Sequence, residues 1–216
     1  MNGNWTVILD VDPNPLNNFT IDGTLIADDT RDVTIIANFI HIRAGNFTAG
    51  SPGTPFMHKL TFQINGQKTS KVFTVDPMLS ANKLFTVTGS LNLYGNAPSS
   101  VSTVLTQSAM AGSSTLFVGD STGWVVGDTL VLSPSFSTYN EFESVTIQSI
   151  NTDGSITLTA PLTYTHYGSG SLTINNNYGK LDTRTRVGHV NRNIKIVPGP
   201  DAGWGFTVVV YGYQDG

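Results

Sequence analysis

Residues 18–29 read NFTIDGTLIADD. They hold a glycosylation sequon, Asn18-Phe19-Thr20, and then apolar and β-branched residues on both sides of one glycine, Ile21-Asp22-Gly23-Thr24-Leu25. The simplest local reading is a strand, a bend and a second strand, because glycine accepts corner geometry and its neighbours suit a pleated surface. The pattern returns in HIRAGNFT around Gly45, FQINGQKT around Gly66 and FTVTGSLNL around Gly89, at intervals of 22, 21 and 23 residues. Short strands with corners at such a period are what a β-solenoid produces, since each coil bends at fixed points and stacks on the last. An antiparallel sandwich with regularly placed turns has similar spacing. On the solenoid reading Asn18 is exposed at the start of a coil strand, while Ile21 and Leu25 point into the core.

The texture changes after residue 101. Residues 104–133 and 141–166 read as short alternating strands, and Asn151-Thr152-Asp153-Gly154-Ser155 supplies an Asp-Gly hairpin signal between SVTIQSI and SITLTAPL. These strands are antiparallel neighbours, unlike solenoid coils. The expected organisation is therefore a solenoid over residues 1–101, an inserted small antiparallel β-barrel over 102–172, and a return to the solenoid over 173–216, where RNIKIVPG and WGFTVVVYG resume the simple strand pattern.

Composition narrows the function. The chain has 216 residues, 12% of them charged, with a net charge of −4, which leaves no basic stripe for a nucleic-acid backbone. There is no cysteine, which excludes disulfides, thiolate metal sites and thiol nucleophiles together. MNGNWTVILDVDP lacks the basic start and apolar run of a secretory leader, and no apolar stretch approaches the roughly 20 residues of a membrane span. Three sequons, at Asn4, Asn18 and Asn46, favour a processed or excised piece of a secreted protein over a cytosolic one.

FTIDGTLIADD, the IRAG…GSPGTPF…LTFQINGQ segment, FTVTGSLNLYG, GWVVGDTLVLS, EFESVTI, LTYTHYG and RVGHVNRNIKIVPG occur in this order along nearly the whole chain. The ordered set resembles the eight-glycine (G-eight) domain of fibrocystin-type receptors and of hyaluronan-binding and hyaluronan-processing cell-surface proteins. The resemblance implies an extracellular or cell-surface location and an all-β fold of right-handed parallel β-helix coils with the barrel inserted. It makes DAGWGFTVVVYGYQDG the first step into a following β-helix. The sequence departs from the family in a first strand that is barely present and in lacking that downstream helix. The resemblance supplies no catalytic motif that can be placed residue by residue.

Each chemical candidate has a structural competitor. Glu141 and Glu143, two apart on a strand, would share one face as an acid–base pair on a sugar, or would serve a strand start. Asp10-Val11-Asp12-Pro13-Asn14 begins like a calcium loop without its glycine or closing glutamate, and Asp28, Asp29 and Asp32 would have to complete the oxygen cage; solvated turns are the favoured reading. No cofactor is expected, calcium being the one weighed. His41, His58, His166 and His189 show no metal-ligand spacing, and the resemblance places His166 where it would join barrel to solenoid. Arg184, Arg186 and Arg192 are the best polyanion-binding candidates, because a guanidinium fork suits a uronate carboxylate, against internal pairing with Glu141, Glu143 or Asp182. Among the tryptophans, Trp124 reads as core, Trp204 as the surface aromatic, and Trp5 stays open.

The leading expectation is a non-enzymatic, structural or adhesive extracellular glycoprotein module, N-glycosylated at Asn4, Asn18 and Asn46, whose uncapped coil ends stack head to tail into filaments. Two alternatives stand beside it: a polysaccharide-binding or hyaluronan-processing-like module, and a scaffold for the β-helix of a longer parent.

Overall fold

The computed structural model describes residues 5–76, 79–135, 139–169, 171–175, 179–200, 203 and 205–211. They hold strands and turns and no helix, so the all-β class is as expected. Asn4 and Trp204 lie outside the described residues. The chain divides into two compact units, Met1–Asn96 with Arg192–Gly216, and Ala97–Asn191.

In the first unit, β1 (Thr6–Leu9) and β2 (Leu16–Ile21) are followed by β3 (Thr24–Ala27), β4 (Val33–Ile42), β5 (Asn46–Ala49), β6 (Leu60–Ile64), β7 (Phe73–Asp76), β8 (Leu79–Ala81), β9 (Leu84–Val87) and β10 (Ser90–Leu93). One parallel sheet has the order β1-β3-β5-β10. In a second, β2 pairs with β4, whose first half pairs with β6 and whose second half pairs with β9, all in parallel. The strands thus lie in successive tiers: β1 and β2, then β3 and β4, then β5, β6 and β9, then β10. Parallel pairing throughout both sheets removes the antiparallel sandwich for this unit. Among the described residues of this unit only β7 and β8 pair antiparallel, as a hairpin looping out of the third tier between β6 and β9.

Alternation along each strand sends one set of side chains inward. Ile21, Leu25, Ile35, Ile40, Ile42, Phe47, Phe62 and Phe85 are buried in one cluster, as the sequence reading required of Ile21 and Leu25. Phe47 meets Phe62 edge-on at 5.1 Å, and Phe62 meets Phe85 at 5.3 Å, the favoured aromatic geometry. Phe39 and His41 break the inward alternation of β4 and are nonetheless buried. Phe73 of the hairpin stacks on Phe39 at 4.7 Å, so the hairpin covers this outer patch.

The second unit contains β11 (Ser102–Val104), β12 (Thr115–Phe117), β13 (Thr129–Leu132), β14 (Glu143–Ile150), β15 (Ser155–Leu158), β16 (Ser171–Asn175), β17 (Gly179–Asp182) and β18 (Arg186–His189). Six of them form an antiparallel sheet in the order β11-β18-β13-β14-β15-β12. A bridge between Leu105 and Val118 joins the outer two strands, so the sheet curls until its edges meet. The Asp-Gly hairpin is present, with Gly154 at φ +82° between β14 and β15. Leu116, Leu130, Leu132, Ile147, Ile156 and Val187 fill the interior with Trp124, whose indole N–H donates to the Ser100 carbonyl at 2.6 Å. The unit extends beyond the expected 102–172, because β18 is hydrogen-bonded between β11 and β13. The chain then re-enters the first unit as the rest of its fourth tier: β19 (Ile194–Pro198) pairs in parallel with β6, and β20 (Thr207–Val210) with β9.

Candidate functional site

The first unit is organised around a column of glycines. Thr24 and Asn46 are register partners, as are Asn46 and Ser90, which puts the preceding glycines, Gly23, Gly45 and Gly89, one above another. A β-carbon on Gly45 would stand 2.2 Å from the Gly23 carbonyl oxygen, and one on Gly89 would stand 2.3 Å from that of Gly45. Those carbonyls accept hydrogen bonds from the amides of Asn46 (3.0 Å) and Ser90 (2.9 Å). The tiers can close to bonding distance at this corner only where no side chain intervenes.

Gly66 is not in the column, contrary to the reading of its spacing. It sits at φ +114°, with its β-carbon position 3.2 Å from Lys83 Cγ, where the chain leaves β6 for a turn. The spacing between stacked corners is 22 residues for the first step and 44 for the second, because the hairpin excursion enlarges the third tier. Gly66 falls near the middle of that larger tier by coincidence of length.

Polar side chains lock tier to tier beside the column. Arg43 grips Asp22 with two bonds, Nε to Oδ1 at 2.7 Å and a terminal guanidinium nitrogen to Oδ2 at 2.6 Å. That bond to Arg43 holds the Asp22 carboxyl below the usual range. The Thr88 hydroxyl donates to the Arg43 carbonyl at 2.6 Å and lies 2.9 Å from His41 Nε2. Burial, then the nearby Arg43 charge, lowers the His41 pKa.

The carboxylates of the calcium-like loop serve backbone instead. Asp12 accepts from the Thr34 amide at 2.9 Å and Asp32 from the Lys59 amide at 2.9 Å. Asp29 accepts from the amides of Met57 and His58 and lies 3.0 Å from His58 Nδ1. Burial disfavours its charge, yet these bonds prevail and its pKa is lowered. Each aspartate thereby satisfies an amide that a corner would otherwise leave unpaired. No group of three or more potential ligands is gathered for a metal ion among the described residues.

Asn18 is exposed on β2, and its Oδ1 accepts from the Thr20 hydroxyl at 2.9 Å. Asn46 is half-buried, with Oδ1 accepting from Asn92 Nδ2 at 2.9 Å and from the Thr48 hydroxyl at 3.3 Å. Around it, Asp22, Gly23, Thr24, Gly45, Gly89 and Ser90 form a shallow groove of about 360 Å³.

Glu143 is a structural group in the second unit. Its two oxygens accept the Thr163 and Tyr164 amides, both at 2.7 Å, and Oε1 lies 3.1 Å from His166 Nε2. Burial opposes its charge, but the two amides and the imidazole outweigh it and lower the pKa. Glu141 lies before β14, so the two glutamates do not form a pair on that strand. His166 is fully buried, and its Nδ1 faces the Ser133 carbonyl at 3.1 Å. Both ring nitrogens face partners in the second unit, Glu143 and Ser133, in place of the link between barrel and solenoid expected of this residue. His189 Nε2 lies 2.9 Å from Asp128 Oδ2, a second buried histidine–carboxylate contact in this unit.

Arg184 grips Asp182 bidentately, at 2.9 and 2.7 Å, and this bond brings the Asp182 pKa down to about 2. The internal pairing weighed in the sequence is therefore present. Arg186 is exposed on β18, whereas Arg184 precedes that strand. Arg192 belongs to the first unit and the other two arginines to the second.

A second recess in the first unit, about 480 Å³, is lined by Val72, Ser80, Ala81, Asn82, Lys83, Gly205, Phe206 and Thr207. Lys83 is only 1% exposed. Nothing in its sequence neighbourhood marks it: its Cγ lies 3.2 Å from the β-carbon position of Gly66, and its carbonyl accepts from the amide of Thr207, more than a hundred residues further on, at 3.0 Å. Asn193 was also unreadable: its side-chain amide reaches back to the carbonyls of Phe56 and His58 at 2.6 and 2.7 Å.

Stacked parallel tiers, a glycine column and an inserted curled sheet define the class of module, and comparison with known proteins supplies the family. The G8 domain model matches residues 1–106. Fibrocystin-L of Mus musculus is 31% identical over 84% of this chain, and fibrocystin-L of Homo sapiens 31% identical over 92%. The chain belongs to the G8 domain family. It spans only 4% and 5% of the length of those two relatives. Among solved structures, the Gp54 tailspike of Acinetobacter baumannii bacteriophage AP22, in complex with A. baumannii capsular saccharide, aligns with 96% of this chain and 25% of its own at 13% identity. Its TM-score is 0.33.

Proposed function

We propose that the chain is an extracellular structural or adhesive glycoprotein module whose parallel tiers are coils of a right-handed β-helix, and that copies stack head to tail. The observation that carries this reading is the pairing of the terminal tiers. β1 and β2 pair only with the second tier, while β10, β19 and β20 pair with the third, and none has a strand on its other side among the described residues. A strand bonded on one side presents a row of free amides and carbonyls, which another parallel strand can accept. The first and last tiers are different surfaces, so a contact between them is heterologous and, where its rotation does not close a ring, extends into a filament. Val208 and Val210 on β20, 49% and 67% exposed, add apolar area at the fourth tier.

The exposed Asn18 sequon supports the extracellular part of the reading, and a glycan attached there would stand on the outer surface of the first tier. Light scattering and negative-stain imaging of the glycosylated chain over rising concentration test the stacking. Growth into linear stacks is expected. A monomer at every concentration would remove self-assembly from the proposal.

A further inference from the structure

We infer that the groove beside Asn46 seats the first N-acetylglucosamine of a glycan carried by that residue, laying the sugar across the second, third and fourth tiers. This rests on the extracellular reading above and gives one glycan a fixed place in it. Asn46 begins the sequon Asn46-Phe47-Thr48 on β5. The two ends of its side-chain amide are used differently. Oδ1 accepts from Asn92 Nδ2 at 2.9 Å and from the Thr48 hydroxyl at 3.3 Å. Nδ2, the atom that takes a glycan, has no hydrogen-bond partner among the described residues and is not sealed from solvent. Attachment joins Nδ2 to the anomeric carbon of an oligosaccharide carried on a lipid pyrophosphate. The bond from that carbon to the pyrophosphate oxygen breaks, the lipid pyrophosphate leaves, and Nδ2 gives up one of its two protons. Oδ1 is untouched, so the bonds from Asn92 and Thr48 persist.

The groove, about 360 Å³, falls within the roughly 300–1,000 Å³ of small-molecule sites. Gly23, Gly45 and Gly89 line it without side chains, so a ring can approach the backbone at the corner of each tier. Thr24 and Ser90, the register partners of Asn46 on either side, supply hydroxyls to meet those of the sugar. Asp22 supplies a carboxylate for an N–H or O–H of the sugar. Arg43 takes two of the roughly four acceptor sites of that carboxylate and holds it in place. A sugar tethered at Asn46 is already at high effective concentration, so a few such bonds suffice to keep it seated. Asn18 has no such setting. Exposed on β2, it lines neither this groove nor the recess beside Lys83, and a glycan there projects into solvent.

The full chain, secreted from a eukaryotic line, tests the proposal without any substitution. N-glycosidase is applied to the folded and to the urea-unfolded protein, and peptide mass reads release at each sequon over time. Both Asn18 and Asn46 should carry a glycan. The folded protein should lose the one on Asn46 about tenfold or more slowly than the one on Asn18, the factor that about 1.4 kcal/mol of seating supplies, and unfolding should equalise the two rates. NMR of the labelled glycoprotein gives a second reading, in which nuclear Overhauser contacts should join the acetamido methyl of the first sugar to Gly45 and Ser90. A glycan on Asn18 with none on Asn46 overturns the inference and leaves the extracellular reading standing. Glycans on neither residue overturn both. Release from Asn46 as fast as from Asn18, or an absence of contacts to Gly45 and Ser90, overturns the seat alone.

Discussion

A β-carbon at Gly45 would stand 2.2 Å from the carbonyl oxygen of Gly23, 22 positions earlier in the chain. No real β-carbon sits that close to an oxygen, so one tier presses on the next through a residue that can only be glycine. Gly89 repeats the relationship on Gly45 at 2.3 Å, and the adjoining amide bonds depend on the same approach. The column explains in physical terms why the corner residue recurs: the constraint is contact between tiers, since none of the three is among the glycines with positive φ.

Gly45→Ala should therefore destabilise the first unit by about 2–3 kcal/mol or more, the magnitude of overpacking where backbone must give way. Gly53 has open space around its β-carbon position, and Gly53→Ala should shift stability by no more than about 0.5 kcal/mol. Urea unfolding of the two variants beside the parent measures the difference.

Glu143→Gln should weaken the second unit by about 2–3 kcal/mol. The amide keeps one acceptor, but its NH₂ group then faces a backbone N–H where a carboxylate oxygen stood, and hydrogen bonds to a charged group are worth about 1.5–3 kcal/mol each. Glu141→Gln should be nearly neutral. Thermal unfolding followed through Trp124, buried in this unit, reports both.

Acid should loosen the first unit through His41. Its pKa is lowered in the folded protein, chiefly by burial, so below about pH 6.5 the unfolded chain binds a proton that the folded chain resists. The stability that depends on neutral His41 is present above that pH and declines as pH falls below it. Asp29 and Glu143, whose folded pKa values are also lowered, contribute stability lost at lower pH, through the carboxylate range. Urea midpoints at pH 7.5, 6.5 and 5.5 should fall in that order, and His41→Gln should flatten the slope.

Expression through a secretory pathway should leave a glycan on Asn18. Intact mass before and after N-glycosidase treatment, for the parent and for Asn18→Gln, measures it. The variant should lose one glycan's mass while keeping its fold, because Asn18 is exposed and its side chain bonds to the nearby Thr20 hydroxyl on the same strand.

Legibility in the sequence followed the range of the interaction. FTIDGTLI and FTVTGSLNL each became two strands around a glycine corner because the signal is local: β-branched residues, glycine, β-branched residues. Gly66 shares that local signal, yet its neighbours Gln67 to Ser70 close a turn with the Ser70 amide bonded to Gln67 at 2.9 Å. Only the tertiary register separates it from the column. The Asp-Gly hairpin was readable from its turn, whereas β18 was not, since its partners β11 and β13 are decided by pairing across more than fifty residues. The structural roles of Asp12, Asp29 and Asp32 were equally hidden, because the amides they accept lie 22 to 29 residues further on.

The most direct test of the stacked register uses the absence of cysteine, which makes any introduced pair unambiguous. Parallel neighbours stand about 4.8 Å apart, within the roughly 4.4–6.8 Å that a disulfide spans between α-carbons. Asn46→Cys with Ser90→Cys joins register partners of the third and fourth tiers, while Asn46→Cys with Gln67→Cys follows the uniform spacing through Gly66. Mild oxidation of the folded protein, read by mass after thiol labelling, should close the 46–90 pair and leave the 46–67 pair reduced. Closure of 46–67 with 46–90 left open would contradict the column of Gly23, Gly45 and Gly89 and the tiers built on it.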